Sequence, residues 1–137
     1  MEKRIVVHSL GHARAALEAA SSLKRDVVLA SAPGAGCYAG PGWFKSLVAL
    51  AQASYPESRT EAVLDCGAEA GVALAALRLG LKRVGFSGNA EARAKLEDIA
   101  QKLGASIESG GAEALDLRDK KNAAALCRAY LAGETLA

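Results

Sequence analysis

Residues 62–92 read AVLDCGAEAGVALAALRLGLKRVGFSGNAEA, and this stretch carries the rhythm that decides the fold. A short apolar run, Ala62 to Leu64, gives way to Asp65, Cys66 and Gly67, and a helically spaced segment continues as far as Gly80. The pattern then repeats. Val84 to Phe86 is followed by the turn Ser87-Gly88-Asn89 and by a second helical segment with Ala92, Leu96, Ile99 and Leu103 on one face. The apolar runs are too short for helices. Because they are continuous rather than alternating, they mark strands covered on both faces, as in a parallel sheet between helices.

The same unit recurs outward from this stretch. Ile5 to Val7 precedes a helical face of Ala13, Ala16, Leu17, Ala20 and Leu23; Val27 to Ala30 forms a further run, and a weaker one surrounds Ile107. Gly80, Gly104 and Gly133 stand where helices should end, and Pro56 follows the end of the second long helix. Strand starts at Arg4, Asp26, Glu61, Arg83 and Ala105 give spacings of roughly 22, 35, 22 and 22 residues, so only the second connection is long. A connection that passes over an intervening strand needs extra length. The expectation is therefore an α/β fold with a five-stranded parallel sheet in the flavodoxin-like order 2-1-3-4-5, strand five at an edge. The order 3-2-1-4-5 fits worse, since it would need its longest connection between strands three and four; a βα-barrel fragment matches by pattern, yet five units cannot close the eight-stranded form. The echo Gly67-Ala68-Glu69-Ala70, Asn89-Ala90-Glu91-Ala92 and Gly111-Ala112-Glu113-Ala114 places three helix starts, with Glu favouring the helix dipole in each first turn.

A chain of 137 residues fits one domain, residues 1–137. It is rich in Ala, 51% hydrophobic, 23% charged and only 4% aromatic, so the core must pack closely around small side chains. A net charge of +2, scattered along the chain, argues against nucleic acid as a partner, and no apolar run approaches a membrane span. Cys37, Cys66 and Cys127 are odd in number and lack CxxC spacing, which points away from disulfides and structural zinc and toward a reducing, cytoplasmic setting. Lys3 and Arg4 precede only three apolar residues, so no export signal is expected.

In such sheets ligands bind beyond the carboxyl ends of the strands, where loop amides and helix N-termini converge. His8, Ser9, Gly11 and His12 follow strand one, and Asp65, Cys66 and Glu69 follow strand three. In the order 2-1-3-4-5 these two loops face each other, which makes His8, His12, Asp65 and Cys66 the candidate catalytic residues. The set offers an acid and a base, or a thiol beside an imidazole at a helix start. No metal site is expected, because His8 ends a strand and cannot share a helix face with His12; the phosphatase loop CxxxxxR is absent, with Val72 and Trp43 at the Arg positions. Candidate ligand-binding residues are Ser9, Gly36, Cys37, Tyr38, Trp43, Glu69, Ser87 and Asn89. The segment from Pro33 to Gly42, followed by Trp43, reads as a Gly-rich loop covering the site. Gly34, Gly36 and Ala39 satisfy GxGxxA, but after the wrong strand and with the helix delayed by Gly40, Pro41 and Gly42.

Asp65 after strand three and Ser87 after strand four resemble the phosphoacceptor and switch positions of response-regulator receiver domains. The acidic pair those domains carry after strand one is replaced by His8 and Ser9, and their Lys after strand five by Glu108 and Ser109. The resemblance thus implies a receiver-like fold without the phosphorylation chemistry. The sequence supports a small soluble protein that binds a polar or phosphorylated metabolite at the sheet edge, with catalysis left open. The competing reading is a non-catalytic receiver-like regulatory or protein-interaction domain. No cofactor is identified, and self-association is left open.

Overall fold

The computed structural model describes residues 2–110 and 112–133. The elements in chain order are β1 (Arg4–Val6), α1 (Leu10–Leu23), β2 (Val27–Ala30), α2 (Ala35–Tyr38), α3 (Pro41–Ser54) and β3 (Thr60–Asp65). They continue with α4 (Ala70–Arg78), β4 (Arg83–Gly85), α5 (Ala90–Lys102), β5 (Ser106–Glu108), β6 (Leu115–Asp116) and α6 (Ala123–Leu131). The expected α/β class holds, with a parallel sheet flanked by helices. Its topology corrects the flavodoxin-like expectation: six strands take the order β5-β4-β3-β2-β1-β6, so β2 and not β1 neighbours β3. The long second connection does not step over a strand. Its extra residues form α2, an additional short helix ahead of α3.

Contacts divide the chain into two compact units. The first combines Met1–Ala30, Leu47–Glu61 and Glu113–Ala137, within the described residues. Here β1 pairs in parallel with β2, Ile5 opposite Leu29, and with β6, Ile5 opposite Leu115 and Val6 opposite Asp116. Helix α1 starts because Ser9, in extended backbone, accepts the His12 N–H through its side chain. Its buried positions Ala13, Ala16, Ala19 and Ala20 are small, which lets α6 pack closely with Cys127 and Leu131 inward. Ile5, Leu17 and Leu29 are fully buried, and each such side chain stabilises the fold by about 1.5–3 kcal/mol.

The second unit comprises Ser31–Ser46 and Ala62–Ala112. Strands β3, β4 and β5 run parallel, with Leu64, Val84 and Ile107 in line and Asp65, Gly85 and Glu108 one step further along. Phe44, Leu64, Leu77, Val84 and Phe86 form its core. Arg83 and Glu108 pair at 3.0 Å across the strands. Gly80 and Gly104 take left-handed backbone, φ +95° and +70°, just after α4 and α5, as expected for helix ends. Two of the three echoed segments do precede helices. The third does not: Gly111 lies outside the described residues, and the next element in the chain is β6. Among the described residues no helix is long and apolar enough to cross a membrane.

Candidate functional site

In the first unit, the end of β1 and the end of β6 bring together three titratable side chains. His8 comes just after β1, and its Nε2 lies 2.6 Å from Asp116 Oδ1 at the end of β6. The backbone N–H of His8 donates to His12 Nδ1 at 3.0 Å, because α1 begins at Leu10 and carries His12 in its first turn. The two rings meet edge to face with centroids 5.8 Å apart. Asp116 Oδ1 also accepts the Arg118 N–H at 2.9 Å.

These bonds fix proton positions. A carboxylate only accepts, so the bond to Asp116 places a proton on His8 Nε2, and in neutral His8 the free base is Nδ1. His12 Nδ1 is occupied as an acceptor, so neutral His12 carries its proton on Nε2. Partial burial, and then the nearby His8 charge, hold His12 below the usual histidine range, although Asp116 pulls the other way. Burial pushes Asp116 up, but hydrogen bonds from His8 and the Arg118 backbone, with the His8 and Arg118 charges, outweigh it and hold the carboxyl below its ordinary value. Asp116 is thus a persistent anion that orients a histidine, the arrangement that makes imidazole an effective acid and base.

In the second unit, the candidates after β3 are mostly engaged by backbone. Asp65 Oδ2 accepts the Gly34 N–H at 2.6 Å and the Gly67 N–H at 3.2 Å. Its own N–H donates to the buried Ser31 hydroxyl at 2.9 Å. Asp65 Oδ1 lies over Gly85, where a Cβ would come within 2.6 Å of it. The carboxylate therefore clamps the start of α2 to the loop before α4. Cys66 corrects the expectation of an accessible thiol at a helix start. The strand ladder continues through it, Cys66 N–H to Gly85 C=O at 2.8 Å, and α4 begins only at Ala70. Cys66 is fully buried, and burial first, then Cys37 and Asp65, push its thiol up to about 12.

The remaining candidates divide between structural and surface positions. Ser9 and Asn89 are helix N-caps, Asn89 accepting the Ala92 N–H at 2.8 Å. Ser87 is exposed, with its N–H held by Gly67 C=O at 2.8 Å, and Glu69 is exposed at the start of α4 without a side-chain cap bond. The segment expected to form a covering loop folds instead into α2, with Gly36 buried, Cys37 exposed and Tyr38 71% exposed. Trp43 is partly exposed beside the fully buried Phe44. The expected pairing of His8 with Asp65 depends on β3 lying beside β1; β2 takes that place, and the side-chain bonds form two sets, one in each unit.

Two participants carry little signal in the sequence. Asp116 is hidden because β6 has only two residues, too few to show periodicity, although Leu115 and Leu117 flank it as an apolar pair. Arg93 has the pattern of an ordinary helix position. It donates to Phe86 C=O, Ile107 C=O and the Ser109 hydroxyl at 3.3, 3.4 and 3.1 Å, stitching α5 to the ends of β4 and β5.

Among the described residues no group of three or more His, Cys, Asp or Glu side chains is arranged to hold a metal ion. Two cavities in the first unit open at the amino ends of its strands, one of about 620 Å³ among Lys3, Asp26, Arg59 and Glu61 and one of about 450 Å³ beside Ser21 and Lys24. The second adjoins the C-terminal turn of α1, whose dipole repels anions.

No family model matches the chain. It is 28% identical over 116 residues to the fructose-bisphosphate aldolase of Xanthobacter flavus, covering 74% of this chain and 33% of the relative. Among solved structures it is similar to a chain from Coccidioides immitis assigned as a fructose-1,6-biphosphate aldolase, with a TM-score of 0.64 and 18% identity, over 86% of this chain and 46% of that one. The chain thus spans about a third of the curated relative and under half of the solved structure. At that identity the structural likeness establishes the shared α/β fold.

Proposed function

We propose that this chain is a small enzyme domain that performs acid–base chemistry on a phosphorylated sugar or a closely related phosphorylated metabolite, with His8 as the proton-transferring group. The observation that carries the reading is the 2.6 Å contact between His8 Nε2 and Asp116 Oδ1. With that bond made, His8 Nδ1 takes a proton from a substrate hydroxyl, or from a carbon next to a carbonyl, and the Asp116 carboxylate stabilises the resulting imidazolium. Returning the proton from Nδ1 completes the cycle. His12 holds the His8 backbone in place and acts as a positioning residue.

Two further observations support a phosphorylated substrate. The segment after Asp116 carries Arg118, Lys120 and Lys121, all exposed, beside the dyad's carboxylate. The curated relative is a fructose-bisphosphate aldolase, an enzyme of a sugar bisphosphate. Asp65, with Oδ2 occupied by two amides, is assigned here to holding the α2 segment, and Cys66 to packing.

Calorimetric titration of the full chain with fructose 1,6-bisphosphate, paired with an assay for its cleavage, tests the reading. The expected result is saturable binding by the native chain, weakened when Arg118 and Lys120 are replaced by Ala, and turnover lowered by about 10²–10⁴-fold in His8→Ala. No binding of the sugar bisphosphate or inorganic phosphate, or turnover unchanged by His8→Ala, would overturn it.

A further inference from the structure

The second unit contains a pair of thiols that the His8 reading does not use. Cys37, the third residue of α2, donates its Sγ–H to the Cys66 carbonyl at 3.2 Å. Gly36, immediately before it, lies directly on Cys66: a Cβ there would stand 2.9 Å from Cys66 Sγ and 3.4 Å from Cys66 Cα. On the other side, a Cβ on Gly67 would lie 3.9 Å from Cys37 Sγ. Cys37 Sγ thus touches the Cys66 backbone, and Cys66 Sγ lies against Gly36, the residue next to Cys37, so the two thiols occupy neighbouring positions.

The two sulfurs differ in access. Cys37 is exposed, whereas Cys66 is fully buried, so an oxidant in solution meets Cys37 first. Burial keeps the Cys66 thiol protonated, with its value pushed up to about 12, which protects it from direct attack.

We propose that Cys37 and Cys66 form a peroxide-responsive pair, in which Cys37 is oxidised at the surface and Cys66 resolves it as an intramolecular disulfide tying α2 to the loop after β3. In the first step the Cys37 thiol loses its proton and attacks a hydroperoxide oxygen. The O–O bond breaks, the departing hydroxide takes the proton as water, and Cys37 becomes a sulfenic acid. In the second, the Cys66 sulfur attacks the Cys37 sulfur, the S–O bond breaks, and the leaving hydroxide takes the Cys66 proton as a second water. Two thiols are oxidised and one hydrogen peroxide is reduced to two waters. The step involves neither His8 nor Asp116, so it stands or falls separately from the acid–base reading.

The test exposes the native full chain to a few equivalents of hydrogen peroxide, quenches with catalase, blocks remaining thiols under denaturing conditions, and reads intact mass and non-reduced peptides. The expected product is a monomer in which two of the three cysteines resist alkylation, with a peptide joining Cys37 to Cys66 and Cys127 alkylated. Cys37→Ser, at an exposed position, should remain folded and leave Cys66 fully alkylated after the same treatment. Cys66→Ala should trap Cys37 as a dimedone-reactive sulfenic acid. A Cys37 that over-oxidises or dimerises while Cys66 stays free in the native chain, or Cys66 oxidation that persists in Cys37→Ser, would overturn the proposal.

Discussion

The end of β1 and the end of β3 present similar chemistry in the sequence, yet the two regions do different things with it. After β1, the His8 side chain is bonded to Asp116 while His12 accepts the His8 backbone N–H, leaving an imidazole nitrogen available and a carboxylate held as an anion. After β3, Asp65 is bound by the amides of Gly34 and Gly67, and Cys66 is buried in an extension of its strand. Titratable residues at a strand end become candidates for chemistry when their partners are other side chains. When their partners are main-chain amides, they hold loops.

The contrast breaks most visibly if function resides in the wrong region. His8→Ala should lower kcat/KM for the sugar bisphosphate by about 10²–10⁴-fold, the usual contribution of a positioned acid–base group, with little change in thermal midpoint. Cys66→Ala should instead lower stability while leaving kcat/KM of the folded fraction near native, as read by parallel assays and thermal melts.

The second region should be the mechanically sensitive one. Gly85→Ala places a Cβ 2.6 Å from Asp65 Oδ1 and 3.3 Å from Asp65 Cα, so the clamp or the strand must shift, at a cost of about 1–3 kcal/mol by urea unfolding. Gly71→Ala, a helical position with no neighbour within 4 Å, should stabilise by up to about 1 kcal/mol. Equal effects of the two substitutions would remove the tight approach at Gly85 from the account.

Smaller in size but sharp in sign is the titration of His12, monitored by NMR. Its midpoint should lie below the ordinary histidine value, through burial first and the His8 charge second. Removing that charge with His8→Ala should raise it, and removing the Asp116 attraction with Asp116→Asn should lower it further. Because the folded value is depressed, the unfolded chain binds the extra proton as pH falls below about 6.5, and the His12 contribution to stability declines there.

Much of the fold is legible in the sequence because a buried parallel strand between a glycine-ended helix and a polar turn has few other readings. The expected starts at Arg4, Asp26, Glu61, Arg83 and Ala105 fall within one residue of the observed strands. Strand order is not legible in the same way, since length alone cannot distinguish a connection that crosses a strand from one that folds a short helix, and Ala35–Tyr38 is such a helix. His8 and His12 stand out as two imidazoles in one loop. Asp116 does not, since its partner lies 108 positions away and its strand is two residues long. Cys66 is misplaced by sequence because the last residues of β3 and the turn before α4 read alike; only the backbone bond to Gly85 shows that the ladder runs on through it.

The most direct measurement of the central claim is a residue-resolved amide NMR titration of the full chain with fructose 1,6-bisphosphate. The account predicts that the largest shifts fall on His8, His12 and the amides from Asp116 to Lys121, with Gly34, Gly67, Ser87 and Asn89 little changed. Shifts concentrated on Gly34, Gly67, Ser87 and Asn89, with His8 and Arg118 unmoved, would contradict it.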